Sequence, residues 1–278
     1  MNGKVKESGL GLDVEEFKRK KQKNAYMMTM LSVVGILSFL LLWQISVSME
    51  WVNQKFLASP MQVLNLFLVK LTDASPDGNT LGMNVLASLQ VSLTGFTLAV
   101  CIGVPLGLLM GWYRGFDSLI RPIFEVVRPI PPVSWIPLII VWLGIGLQAK
   151  AFIVFFSAFV PCVINSYTGI RQTVPVLINV AKTCGASNFT IFWKIGIPSS
   201  MTMVFTGIKV ALGNAWSTLV AAEMLAASAG LGYMILMGRQ FARPDIIILG
   251  ITVIGAIGML FSSLLNIAES KVLGWKKV

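Results

Sequence analysis

LASLQVSLTGFTLAVCIGVPLGLLMGW, residues 86–112, contains no Asp, Glu, Lys or Arg. About 20 such residues cross a hydrocarbon core of about 30 Å as one helix. Gly103, Pro105, Gly107 and Gly111 give this helix a small-residue face suited to close packing against another span. The rest of the chain has the same character. Of 278 residues 55% are apolar and 12% charged, with mean hydropathy +0.78. A soluble domain carries about 25% charged residues, so a water-soluble globule is excluded, as are a disordered and a collagen-like chain. The polar-in, apolar-out alternation of an outer-membrane barrel is missing, which leaves helices as the spanning elements.

Working outward, residues 27–46 form a first span. Bulky Met49, Glu50 and Trp51 follow it where a cleavable leader would have small residues. Ser59 and Pro60 open a short helix over 60–71, with Val63, Leu64, Phe67 and Leu71 on one face, placed along the membrane surface. Residues 118–144 are long enough to span but are broken by Pro129, Pro131, Pro132 and Pro137. They read as a cytoplasmic half-helix, a kink at 128–132 and a spanning half facing the protein interior. Residues 151–170, 204–222 and 246–267 complete six spans, with a polar segment at 171–198 and a loop at 230–245.

With the N-terminus inside, segments on the inner side hold 17 of the 22 Lys and Arg and outer segments hold 5. That bias sets the orientation and accounts for the net charge of +10 without nucleic acid. The expected organisation is a cytoplasmic segment 1–26, the first span 27–46, a periplasmic segment 47–84, a five-helix core 85–268 that includes loop 171–198, and a cytoplasmic tail 269–278.

Several chemistries are excluded. Histidine is absent, and Cys101, Cys162 and Cys184 have no metal-ligand spacing. No G-x-x-x-x-G-K-[ST] occurs, so the chain lacks a phosphate-cradling loop. Only Glu125 and Glu223 of the twelve acids fall within membrane depth, too few for a proton relay.

Loop 171–198 carries Asn179-Val180-Ala181-Lys182-Thr183-Cys184-Gly185-Ala186 and then Ile195-Gly196-Ile197-Pro198. A left-handed Gly185 ends one short helix and Ser187 caps a second. Phe189, Phe192 and Trp193 then form an apolar knob for a soluble partner. This stretch resembles the coupling loop of ABC-importer permeases, E-A-A-x3-G-x9-I-x-L-P. Ala181, Gly185, Ile195 and Pro198 match, while Asn179, Val180 and Ile197 replace Glu, Ala and Leu. Residues 128–138 (RPIPPVSWIPL), 142–146 (WLGIG), 216–224 (WSTLVAAEM) and 230–233 (GLGY) are similar to the taurine, nitrate and sulfonate branch, nearest to taurine permeases, over nearly the whole chain from Ser59 onward.

The resemblance implies an all-α polytopic protein of the bacterial inner membrane with the type I importer permease fold, both termini cytoplasmic and no enzymatic activity. ATP and magnesium would belong to two partner ATPase subunits, and a periplasmic or lipid-anchored binding protein would deliver the solute. One coupling loop per chain implies a second permease chain, most simply a homodimer, working by alternating access. The solute expected is a small anion, taurine or another organic sulfonate first, with nitrate or bicarbonate as the alternative and an ion-coupled secondary transporter as a more distant one. The expected ATPase-coupling residues are Ala181, Gly185, Ala186, Phe189, Phe192, Ile195 and Pro198. Arg128, Pro132, Trp135, Trp142, Trp216 and Glu223 are candidates for the path or its gates. Glu223 is read first as an acceptor that fixes the outer side of the pore, since a carboxylate repels anions. Arg128 either attracts an anion or pairs with Glu125, and the tryptophans either line the path or anchor helix ends.

Overall fold

Five of the six expected spans are continuous helices in the computed structural model, which describes residues 8–53 and 56–274, and the sixth, 118–144, is broken after Val127. No strand occurs among the described residues. Five helices are long and apolar enough to cross a membrane, or six when one bent pair counts as a single span. The chain divides into two units, residues 1–64 and 65–278.

In the first unit, α1 (Ser8–Ser48) runs unbroken from the basic segment through the apolar one. Its 41 residues extend about 60 Å, roughly twice the hydrocarbon thickness. The helix α2 (Pro60–Lys70), within which the division falls, opens on a reciprocal cap. The Gln62 N–H donates to Ser59 Oγ (3.3 Å), and the Ser59 N–H donates to Gln62 Oε1 (2.8 Å). Val63 is buried while Leu64, Phe67 and Leu71 are exposed, so the four do not form one uniform stripe.

In the second unit, α3 (Leu81–Trp112), α6 (Leu147–Arg171) and α9 (Ile197–Ala226) pack against one another. The small-residue face of α3 meets α6. A Cβ on Gly95 would come within 2.6 Å of the Ala151 carbonyl, and one on Gly103 within 2.9 Å of Cys162 Cβ. Without a hydrophobic driving force between helices in lipid, such close backbone contact is what holds spans together. The helix α3 begins at Leu81, five residues before the apolar run, because Thr80 caps it and the polar Asn84 and Ser88 are buried partners.

The proline-rich segment breaks where the sequence places the kink. The helix α4 (Arg114–Val127) ends, a 3-10 turn (Pro132–Trp135) follows, and α5 (Ile136–Leu143) leaves at 84° to α4. Only one face of α5 is interior: Ile136 and Ile139 are buried, whereas Val141 and Trp142 are exposed.

Residues 230–245 are not a plain loop. They contain α10 (Leu231–Gln240), followed by α11 (Pro244–Val272). Three glycines make this stretch read as a turn, but Leu231 and Met234 are buried and α10 packs on α9 and α11. Tertiary packing overrides the weak local propensity.

Candidate functional site

Three places gather the functional candidates. The first is the turn between α7 (Pro175–Thr183) and α8 (Asn188–Ile191). Gly185 has φ +78°, the Gly185 N–H donates to the Lys182 carbonyl (3.0 Å), and the Ala186 N–H donates to the Ala181 carbonyl (3.0 Å). Those two bonds satisfy otherwise orphaned carbonyls at the end of α7 and define a Schellman cap. Ala181, Gly185 and Ala186 are thus one structural device. Ser187 Oγ then accepts from the Thr190 N–H (3.2 Å) and starts α8.

The chain enters α9 through a π turn, Phe192–Gly196, where the Ile197 N–H reaches the Phe192 carbonyl. This keeps α8 and α9 in one helical stretch, 188–225. Phe189 and Trp193 are exposed, with ring centroids 6.2 Å apart. Phe192 departs from the expected knob. It is 5% exposed, packed with Leu108, Ile170 and Val204, and 5.7 Å from the Trp112 and Tyr113 rings. The aromatic run hides this inversion, because on a helix both Phe192 and Trp193 neighbour Phe189, three and four residues on, and spacing alone does not say which of them turns to the core. Ile195 is half-buried and Pro198 exposed near the start of α9.

The second place is a cleft of about 470 Å³ between α9 and α11. Lys209, Gly213 and Ser217 line it from α9, and Gly258, Ser262 and Asn266 from α11. Trp216 is a buried wall: its Nε1–H donates to the Ile254 carbonyl (3.0 Å) and its ring meets Phe261 edge-on at 5.3 Å. Lys209 pairs with Glu269. That pair was not singled out in the sequence, since Lys209 reads there only as one more inner-side cation.

The third place is the C-terminal end of α9. Glu223 is 0% exposed and accepts from Ser88 Oγ (2.7 Å) and from the Gly232 N–H (2.9 Å). Ser88 Oγ also accepts from the Leu231 N–H (2.8 Å), and Asn84 Oδ1 from the Gly230 N–H (3.0 Å). Side chains from α3 and α9 therefore take the N–H groups at the start of α10, and a carboxylate faces the positive end of that helix. Asn84 Nδ2 donates onward to Asp77 Oδ2 (2.7 Å), and Asp77 pairs with buried Lys70. The i, i+4 spacing of Asn84 and Ser88 within a span is the sequence signal for this network.

The remaining candidates do not converge. Arg128 is exposed and pairs with Glu125 at 3.2 Å. Pro132 opens the 3-10 turn, half-buried. Trp135 packs on Ile136, Ile139, Ala149, Ile153 and Ala222 and lies 5.6 Å from the Phe156 ring. Its Nε1 is buried without a hydrogen-bond partner. Trp142 is 64% exposed, on the outside of α5. Among the described residues no cluster of His, Cys, Asp or Glu is arranged to hold a metal.

Residues 103–273 match the family described as "Binding-protein-dependent transport system inner membrane component", and the chain belongs to it. It is a permease subunit of an ABC importer and not an enzyme; ATP hydrolysis in such systems resides in a separate subunit. It is 33% identical to the taurine transport system permease protein of Escherichia coli, over 87% of this chain and 88% of that one. A putative ABC transporter permease of Methanocaldococcus jannaschii is 40% identical over 70% of this chain and 73% of its own. The nitrate import permease of Synechocystis is 32% identical over 86% and 87%. Among solved structures, a chain of the MetNI methionine ABC transporter in an inward-facing conformation superposes with TM-score 0.53 at 18% identity, covering 66% of this chain and 93% of that one. That likeness establishes the fold as the type I importer permease fold.

Proposed function

We propose that this permease passes a small anion, taurine or another organic sulfonate, through the cleft between α9 and α11, closed by a second copy of the chain. The observation that carries the solute class is the 33% identity to a taurine permease over nearly the full length of both chains. The cleft agrees with it. Its polar lining is Ser217, Ser262, Asn266 and Lys209, and the single acid at its end, Glu269, is neutralised by Lys209. Neutral hydroxyl and amide groups let an anion pass without trapping it.

The working cycle follows from the continuity of α8 with α9. With the N-terminus, loop 171–198 and the C-terminus on the cytoplasmic side, the Gly185 turn rests on one of two ATPase subunits, which hold ATP and magnesium. A shift of Phe189 and Trp193 on ATPase closure moves α9 as a lever about 50 Å long from Phe189 to Glu223. The Glu223 network holds the outer end of that lever to α3 and α10. Rocking about it opens the cleft alternately to each side, and a binding protein supplies solute from outside. Segment 47–84 is then periplasmic, and Arg128 with Pro132 marks the inner bend of the broken span.

Reconstituted transporter with its own binding protein and ATPase is expected to accumulate radiolabelled taurine or an alkanesulfonate on addition of ATP. Uptake blocked by nitrate or bicarbonate but untouched by sulfonates would transfer the assignment to the inorganic anions represented among its relatives. Uptake that continues in energised membranes without ATP would point to ion coupling.

A further inference from the structure

The charge on the α7–α8 turn is of one sign. From Arg171 to Ala222 the sequence contains no Asp or Glu. Asn179 stands where the importer loop it resembles carries Glu. Lys182, in the last turn of α7, and Lys194, next to Trp193, are both exposed, and neither has an acidic partner among the described residues. Arg114, beside the Tyr113 ring that packs on Phe192, is exposed and likewise without one. The acids of the adjoining helix are already committed: Asp117 to Arg121 and Arg171, and Glu125 to Arg128. Val176, Val180, Phe189 and Trp193 of the same stretch are exposed as well.

We propose that the ATPase partner of this chain meets the turn with an apolar groove rimmed by acidic side chains, which pair with Lys182 and Lys194. The inference rests on the reading of this turn as the ATPase dock and adds the polarity of the partner. Apolar contact supplies area but little selectivity. Two ammoniums left in water on an otherwise acid-free surface reject a basic groove and select an acidic one. In a cell with several importers, that polarity sorts ATPases between permeases. Exposed charge pairs of this kind are screened by salt, with a Debye length of about 10 Å at 0.1 M and about 3 Å at 1 M.

The test uses the permease co-purified with its own ATPase subunit in detergent with and without added anionic lipid. The double reversal Lys182→Glu with Lys194→Glu is expected to lower retained ATPase about tenfold or more at low salt. The neutral pair Lys182→Gln with Lys194→Gln is expected to fall between it and the native chain and to depend less steeply on salt. Phe189→Ala with Trp193→Ala reports the dock itself. Both lysines are surface residues, so monodisperse permease in every variant is the expected control. ATPase retained by the reversal but lost by the aromatic pair overturns the acidic rim and leaves the dock standing. Retention by both variants overturns the dock. Retention that follows anionic lipid content, with no response to the reversal in lipid-free detergent, assigns the lysines to the membrane surface and overturns the proposal.

Discussion

Gly230→Ala is expected to lower the melting temperature of the purified permease by roughly 6–12 °C and to reduce its accumulation in the membrane. Gly230 sits at φ +129°, ψ 163°, a region essentially closed to residues with a Cβ and costing about 1–3 kcal/mol when one is forced there. The new methyl would also fall on the Glu223 carboxylate. To make room, Glu223 must give up the Ser88 hydroxyl or the Gly232 N–H, and a buried carboxylate stripped of donors costs several kcal/mol more. The combined loss is at least about 3 kcal/mol. Gly255→Ala, on α11 with nothing within 4 Å of the added Cβ, is the control and should melt like the native chain. A Gly230→Ala protein as stable as that control would mean that the network around Glu223 does not hold α3, α9 and α10 together.

Gly185→Val is expected to have the larger effect on transport and a small one on stability. A Cβ there meets nothing within 4 Å, so the penalty is in the backbone alone. At φ +78° a β-branched residue is a conformational outlier, and relaxing it breaks the bonds from Gly185 to Lys182 and from Ala186 to Ala181. The exposed pair Phe189 and Trp193 is then misdirected while the membrane core is unchanged. Insertion should be normal, and ATP-dependent uptake and solute-stimulated ATPase should fall more than tenfold. Gly185→Asn, which tolerates the left-handed region, should retain most activity. Native rates of coupled transport in the valine variant would remove this turn from the mechanism.

Most of the fold is visible in the sequence because lipid imposes a one-dimensional rule: a long uncharged run must be a helix. The kink before Pro132 and the cap at Gly185 were equally legible, since proline and a left-handed glycine have local consequences. Three features were not. The helix α10 is held by burial of Leu231 and Met234, and long-range packing leaves no periodic signal in ten residues. Phe192 points inward to pack with Leu108, Ile170 and Val204, a long-range contact that aromatic spacing does not reveal. The buried pairing of Ser88 with Glu223 joins residues 135 positions apart, and that of Lys70 with Asp77, 7 positions apart, crosses a loop with no helical periodicity to announce it. Of the path candidates, Trp216 belongs to the cleft, whereas Trp142 and Arg128 lie on exposed surfaces. Isolated tryptophans and arginines in a membrane sequence do not declare which side of a helix they occupy.

A photo-crosslinker in place of Phe189 tests most directly whether the ATPase seats on the α7–α8 turn and its exposed Phe189–Trp193 pair. In the assembled transporter, irradiation should give an adduct between the permease and the ATPase subunit, with a yield that changes on adding ATP and solute-loaded binding protein. An adduct with the binding protein, or none with an ATPase that remains assembled, would contradict the account.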